Sequence, residues 1–190
     1  VTNTNQHDSD SNGVGDACDG NVDGDAVPDE EDFVAGTAEV IDSNVKLTLN
    51  IGGEENLNKI ITGVQPVVFT STVVDEVTQE VKSEPIVDFH FDFTEETKLD
   101  LSKIEIKTQS EEALAGEVIV KGIDLTVQQQ TKTVYMDRKA GTDTICIKDA
   151  EITSITEITS NPEGSDELLL ACNNEAVNGY TCNEQNQRFR

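Results

Sequence analysis

The feature of the sequence that most constrains the fold is an acidic segment near the N-terminus, from Asp8 to Asp32. It contains eight aspartates and two glutamates, and no lysine or arginine. Like charges at this density repel one another, and the few small aliphatic side chains cannot offset the roughly 1–2 kcal/mol per residue that ordering a backbone costs. The segment is therefore predicted to be disordered unless a partner of opposite charge holds it together.

The acidic residues follow a twelve-residue frame that occurs twice, with a shift of 13 residues. Positions 1, 3, 5, 7, 9 and 12 are occupied in loop 1 (residues 8–19) by Asp8, Asp10, Asn12, Val14, Asp16 and Asp19. The same positions are occupied in loop 2 (residues 21–32) by Asn21, Asp23, Asp25, Val27, Asp29 and Asp32. This is the spacing of an EF-hand calcium loop, in which inward-pointing side chains and the position 7 carbonyl supply the oxygens that a hard dication requires. We therefore predict that these twelve residues bind calcium, with the two valines contributing their carbonyl groups.

The segment is nevertheless not predicted to be an EF-hand, because no amphipathic helical pattern flanks either loop. Residues 1–32, VTNTNQHDSDSNGVGDACDGNVDGDAVPDEED, resemble the thrombospondin type 3 repeat, in which a V-x-N-x-x-Q-x-D lead-in and a G-D-A-C-D stretch join calcium loops into an array. The resemblance covers about a sixth of the chain and implies calcium-binding repeats with little other structure.

The sequence departs from this family pattern at two positions. Ala26 stands at position 6 of loop 2, where the family has glycine, so we expect a less favourable backbone there and a weaker second site. Phe33 lies near the place where the family often has a cysteine.

The four cysteines, Cys18, Cys146, Cys172 and Cys182, show no C-x-x-C spacing, which favours disulfides over a zinc site. Cys172 and Cys182 flank the turn signal Asn178-Gly179, so a local bridge is predicted, although three pairings remain open from sequence. The family resemblance implies a partner for Cys18 upstream of Val1, and Cys18 is left unassigned.

The rest of the chain, residues 34–190, shows the two-residue alternation of β-strands. The segments VKLTLNI (45–51) and VDFHFDF (87–93) alternate most clearly, and similar patterns follow at 99–107, 116–125, 132–136, 144–152 and 166–172. One short helix is predicted over ENLNKII (55–61). The predicted fold class is all-β, with a sandwich or jelly-roll-like domain at 34–190 preceded by an irregular calcium-loop array at 1–33.

Charge and motif content exclude several functions. A net charge of −25 disfavours nucleic acid and anionic membranes, and no apolar run is long enough to insert into a bilayer. No nucleophile elbow, metalloprotease helix or phosphate loop is present, so the protein is not expected to be an enzyme. Asp88, His90 and Asp92 share one face of a predicted strand, which we interpret as a solvated face rather than a metal or acid-base cluster.

These observations predict a secreted or cell-surface, calcium-binding structural or adhesive module. The chain begins at Val1 and ends in a strand-like QRFR, so we expect it to be a piece of a longer protein. Self-association into an extracellular filament by strand exchange, or binding of other protein partners, is a further expectation. The alternative is a carbohydrate- or protein-binding accessory domain of a larger secreted protein or hydrolase.

Overall fold

The predicted all-β class is confirmed by the computed structural model, which describes residues 7–74, 81–94, 96–108, 116–138, 141–150, 152, 154–158, 167–185 and 188–190. Helical structure in these ranges is limited to three-residue 3₁₀ turns at Asp16–Cys18, Ala38–Val40, Leu101–Lys103 and Ile155–Glu157. Residues 1–6 of the predicted array lie outside the described residues. None of the helices described is long and apolar enough to cross a membrane.

Ten strands precede residue 140, namely β1 (Val34–Ala35), β2 (Asp42–Ser43), β3 (Leu47–Ile51), β4 (Gly63–Val74), β5 (Val81–Phe93), β6 (Leu99–Asp100), β7 (Glu105–Thr108), β8 (Val118–Lys121), β9 (Lys132–Val134) and β10 (Met136–Asp137). Six more follow, namely β11 (Thr144–Lys148), β12 (Glu167–Ala171), β13 (Ala176–Val177), β14 (Tyr180–Thr181), β15 (Glu184–Gln185) and β16 (Arg188–Phe189). Each predicted strand segment contains at least part of a described strand, whereas β1, β2, β4 and β13 to β16 lie outside the predicted segments.

The main core lies between two sheets, of order β3-β4-β5-β9 and β2-β7-β8. Both contribute buried side chains to one hydrophobic cluster, as a β-sandwich requires. Strand β5 shows the predicted alternation, since Phe89, Phe91 and Phe93 are buried and His90 is exposed. The pairings β1-β6 and β2-β7 are parallel, and through β1 the chain enters this core directly from the acidic loops.

A second, smaller hydrophobic cluster forms around Leu170, Cys182 and Phe189. The antiparallel pair β11-β12 and the sheet β10-β16-β15 surround it. The predicted local disulfide is confirmed, because Cys172 is bonded to Cys182. Between these cysteines, Asn178 and Gly179 form the predicted turn with φ of 52° and 86°, the left-handed values that a tight hairpin needs.

The predicted helix over residues 55–61 is wrong, because this segment is irregular in the structure. The Asn56 side chain accepts a hydrogen bond from the backbone N–H of Asn58 at 3.0 Å, which competes with helical hydrogen bonding. Ile61 is buried whereas Ile60 is 52% exposed, so the apolar residues do not form one helical face.

Candidate metal centre

The carboxylates at position 9 close the two acidic loops in the same way. The backbone N–H of Ser9 donates to Asp16 Oδ1 at 2.9 Å, and the N–H of Val22 donates to Asp29 Oδ1 at 2.9 Å. These donors both stand at position 2 of their loop. The Ser9 hydrogen bond, helped by the side chains of His7 and Ser9, holds the pKa of Asp16 below its usual value.

Three further hydrogen bonds recur with the 13-residue shift. They join the position 5 N–H to the position 3 side chain, the position 7 N–H to the position 5 side chain, and the N–H two residues beyond the loop to the position 12 carboxylate. In loop 1, Asn12 donates to Asp10, Val14 donates to Asn12, and Asn21 donates to Asp19. In loop 2, Asp25 donates to Asp23, Val27 donates to Asp25, and Val34 donates to Asp32. The doubled sequence pattern therefore forms the same hydrogen bonds at equivalent positions of the two loops.

In loop 2 the carboxylates of Asp23, Asp25 and Asp32 converge. One oxygen of each lies within 4.8 Å of the others, the only such group of metal-ligating side chains in the described ranges. Asp32 is only 8% exposed. The side-chain oxygen of Asn21, at position 1, is buried and accepts no hydrogen bond from any described residue. The three converging carboxylates offer only oxygen atoms, and Asn21 of the same loop adds an amide oxygen without a hydrogen-bond partner, so the donors of loop 2 fit a hard dication such as calcium.

The raised pKa values of two carboxylates in loop 2 also indicate that a cation would be favourable there. Burial is the largest cause that raises the pKa of Asp32 from 3.8 to about 6, and repulsion from the neighbouring carboxylates of Asp23 and Asp25 contributes to the same shift. Burial likewise raises the pKa of Asp25. Such shifts report negative charge that is neither solvated nor paired, and a bound dication would remove the cost.

In loop 1, the Asn12 side chain brings two predicted ligands together. Its amide nitrogen donates to Asp10 Oδ2 and to Asp19 Oδ2, each at 2.8 Å. Asp8 accepts hydrogen bonds from the backbone N–H groups of Asn12 and Gly13. The predicted ligands at positions 1, 3, 5 and 12 thus form one hydrogen-bonded cluster, held at its centre by an amide where loop 2 has the carboxylate of Asp25.

The position 7 valines differ in their surroundings, since Val14 is 43% exposed and Val27 is only 3% exposed. The expected strain at Ala26 is wrong, because Ala26 is not among the described residues that have positive φ. The left-handed residue of loop 2 is Gly24, with φ of 70°, which corresponds to Ser11 of loop 1 with φ of 62°.

Loop 2 is attached to the β-sandwich by contacts that no local sequence pattern predicts. The N–H of Gly36 donates to Asp23 Oδ2 at 2.7 Å, and the ammonium group of Lys98 donates to the carbonyl of Asp29 at 2.7 Å. Lys98 also lies 6.0 Å from the ring centre of Phe33. Gly36 directly follows β1 and Lys98 directly precedes β6, so sequence spacing alone could not have found Lys98.

The other sequence candidates do not add to this site. Cys18 is exposed and unpaired. On β5, His90 is exposed while the Asp88 carboxylate accepts a hydrogen bond from the hydroxyl of Tyr135, so this polar face is engaged in ordinary surface contacts.

Fold and site together define a protein with two tandem acidic loops, of which loop 2 brings three carboxylates together, joined to a β-sandwich. Residues 7–40 match the family model of the thrombospondin type 3 repeat, which confirms the resemblance and carries it into β1. Repeats of this family are calcium-binding and extracellular. No curated protein and no solved structure matches the chain.

Proposed function

We propose that this protein is an extracellular structural module in which calcium orders the acidic loops into a defined connector to the β-sandwich. The observation that carries the proposal is the convergence of Asp23, Asp25 and Asp32, in a loop whose position 1 residue, Asn21, has a buried side-chain oxygen without a hydrogen-bond partner. The match to a calcium-binding repeat family supports it independently. The proposed ligands are the six residues of each loop named above.

The proposed location follows from the affinity of such sites. Calcium loops of extracellular modules typically have dissociation constants of about 10⁻⁴–10⁻³ M, so they fill outside the cell and stay empty at cytosolic calcium levels. The Cys172–Cys182 disulfide supports the same location, since disulfides persist mainly in oxidising compartments.

We further propose a non-catalytic role in adhesion or in filament assembly. The support is that β3 and β8 each pair with one strand among the described residues, leaving an edge to which an incoming strand can add. Sedimentation velocity and electron microscopy in about 2 mM calcium, above the dissociation constants typical of extracellular modules, test this proposal. Oligomers or filaments would support assembly, and a monomer at every protein concentration would contradict it.

The alternative role, in carbohydrate or protein binding, finds less support in the described surface. A groove of about 430 Å³ is lined by Val64, Asp92, Thr94, Glu96, Thr97, Val127, Gln128 and Gln130. None of these side chains is aromatic, whereas sites for small ligands are usually lined by apolar and aromatic groups.

Limited proteolysis tests the calcium-dependent connector. In EDTA, cleavage within residues 8–32 should be fast and the β-sandwich should survive, because metal binding supplies the folding free energy of these loops. In calcium the same bonds should be protected, with magnesium as the control ion. Equal cleavage rates in calcium and in EDTA would contradict the proposal.

A further inference from the structure

The first strand of the β-sandwich holds two of the three converging carboxylates of loop 2. The N–H of Val34 donates to Asp32 Oδ1 at 2.8 Å, and the N–H of Gly36 donates to Asp23 Oδ2 at 2.7 Å. Both donors lie on β1 or directly after it, and β1 is fixed by its parallel pairing with β6. The positions of these carboxylates are thus set by the sandwich as well as by the loop.

Loop 1 obtains the matching donor from loop 2. The N–H of Asn21 donates to Asp19 as the N–H of Val34 donates to Asp32. After loop 2, strand β1 therefore supplies the hydrogen-bond donor that the next repeat supplies after loop 1.

Burial strengthens this attachment. Val34 is 2% exposed and belongs to the main hydrophobic cluster, and Phe33 packs against the same cluster. The backbone N–H of Leu99 donates to the carbonyl of Phe33 at 2.9 Å, so the residue that follows Asp32 is held on both its side chain and its backbone. Moving Asp32 would require β1 to leave the core.

Hydrogen bonds of this kind orient metal ligands. A carboxylate that accepts an N–H through one oxygen can still ligate a cation, and losing such a supporting donor typically weakens metal binding by about 10–100-fold. Since the donors are already in place in the folded sandwich, the entropy cost of forming the site is lower. By linkage, any factor by which the fold strengthens cation binding is also a factor by which the cation stabilises the fold.

We propose that loop 2 is completed by β1, so that a cation bound there clamps the acidic array to the β-sandwich and raises the stability of the sandwich itself. This inference rests on the proposed function, because it concerns the same calcium site. It makes the two loops unequal: loop 2 is the tighter site and the one coupled to the fold, despite Ala26 at its position 6.

A matched pair of glycine variants tests the supporting donors. Gly36 has φ of 92°, and a Cβ there would lie 3.1 Å from Cγ2 of Val40, which pushes the Gly36 N–H away from Asp23. Gly53 has φ of 91° in a turn, and a Cβ there would meet no atom within 4 Å. Gly36→Ala and Gly53→Ala therefore carry the same backbone strain, but only Gly36→Ala disturbs loop 2.

Calcium affinity is measured by calorimetry in the full chain carrying Asp8→Asn and Asp10→Asn, so that loop 2 is the loop that still binds calcium. We expect Gly36→Ala to weaken calcium binding by about tenfold and Gly53→Ala to change it by less than about twofold. Equal affinity in the two variants would overturn the clamp.

Thermal unfolding supplies the second readout. In the same loop-2-only chain, calcium at 100 times its dissociation constant should raise the unfolding temperature of the sandwich by about 5–10 °C. In a second chain that carries Asp25→Asn and Asp32→Asn and has loop 1 intact, calcium should raise the unfolding temperature of the sandwich much less. Calcium binding to loop 2 without a temperature shift would overturn the clamp and leave the proposed function standing, whereas no calcium binding to either loop would overturn both.

Discussion

At the scale of single residues, Asp32 links charge to stability. Its pKa is raised to about 6 in the folded protein by burial, above the ordinary value of 3.8. Without calcium, ionising Asp32 is therefore costlier in the fold than in the unfolded chain, and the stability of the fold falls as pH rises from about 4 to about 6. The full cost, roughly 3 kcal/mol for a shift of this size, is present at neutral pH, where a bound cation can remove it.

The same pKa predicts how calcium binding depends on pH. Because a proton on Asp32 competes with the cation, lowering the pH from 7 to 5 should weaken binding to loop 2 by about tenfold. Calorimetric titration of the full chain at the two pH values measures this. Carboxylates with ordinary pKa values would lose little affinity over that range, so an unchanged dissociation constant would contradict the buried state of Asp32.

Gly24 offers a second test at this scale. Its φ is 70°, and a Cβ there would lie 2.7 Å from Cβ of Asp10, which means that loop 1 packs directly on this glycine. Gly24→Ala should weaken calcium binding in both loops, by about tenfold or more in total, since it strains loop 2 and displaces a ligand of loop 1.

Gly53→Ala and Gly20→Ala are the controls for that experiment. Gly53 has a left-handed φ of 91° with free space around it and lies outside both loops, and Gly20 has neither a positive φ nor an atom within 4 Å of an added Cβ. If Gly24→Ala binds calcium no more weakly than Gly53→Ala, the packing of the two loops on each other is wrong.

Residue spacing predicted the repeated acidic frame but not its supports. Equivalent positions such as Asp16 and Asp29 make equivalent hydrogen bonds, because ligand spacing and backbone turn are both encoded locally. Lys98 and the N–H of Gly36 reach the loops only through the tertiary fold. No local pattern marks such residues, so they had to come from the structure.

At the scale of elements, alternation was a good guide where one strand face is buried. Strand β5 was predicted from VDFHFDF because its phenylalanines all face the core. Strand β4 was not predicted, although its valines and threonines favour strands, and it contains Pro66, which usually marks a strand edge. Pro66 is accommodated near the end of the strand, beyond the five residues that pair with β3.

The short apolar run at 55–61 gave a predicted element that the structure does not contain. Three apolar residues at helical spacing suggested a helix, but seven residues are too few to stabilise one without packing. The hydrogen bond within Asn56–Asn58 then favours a turn. Short runs of this kind are resolved by tertiary contacts rather than by periodicity.

The disulfide-closed hairpin β13-β14 gives a prediction at this scale. Replacing both Cys172 and Cys182 by serine should destabilise the smaller cluster by about 3 kcal/mol, the loop-closure value for a bridge of this span. Urea unfolding monitored by circular dichroism measures the change. Cys18→Ser, at an exposed and unpaired thiol, is the control and should leave the midpoint unchanged, and an equal midpoint for all three proteins would contradict a structural role for the bridge.

At the scale of the whole molecule, the two hydrophobic clusters explain what sequence could and could not provide. The all-β class followed from alternation along the chain, but strand order, the parallel pairs β1-β6 and β2-β7, and the separate cluster around Leu170 depend on contacts between distant segments. Arg188 connects the clusters, since it lies 2.9 Å from Asp137 and 3.5 Å from Glu84, which belongs to β5.

Negative charge is unevenly distributed over the chain. Of the net charge of −25, residues 1–32 contribute −10, so the remaining 158 residues carry −25 − (−10) = −15. Self-repulsion of this size opposes compaction, and it is most concentrated where packing is weakest. Under the proposed function, calcium in the loops offsets this repulsion, so we expect it to order the acidic segment and to stabilise the sandwich beside it.

Hydrogen–deuterium exchange of the full chain, with and without calcium, tests this account most directly. The backbone amides of Asp16 and Asp29, bonded to the carbonyls of His7 and Gly20, should be protected in millimolar calcium and exchange freely in EDTA, while Phe89 and Phe91 stay protected in both. Exchange at Asp16 and Asp29 that is the same with and without calcium would contradict the claim that cations order the acidic loops.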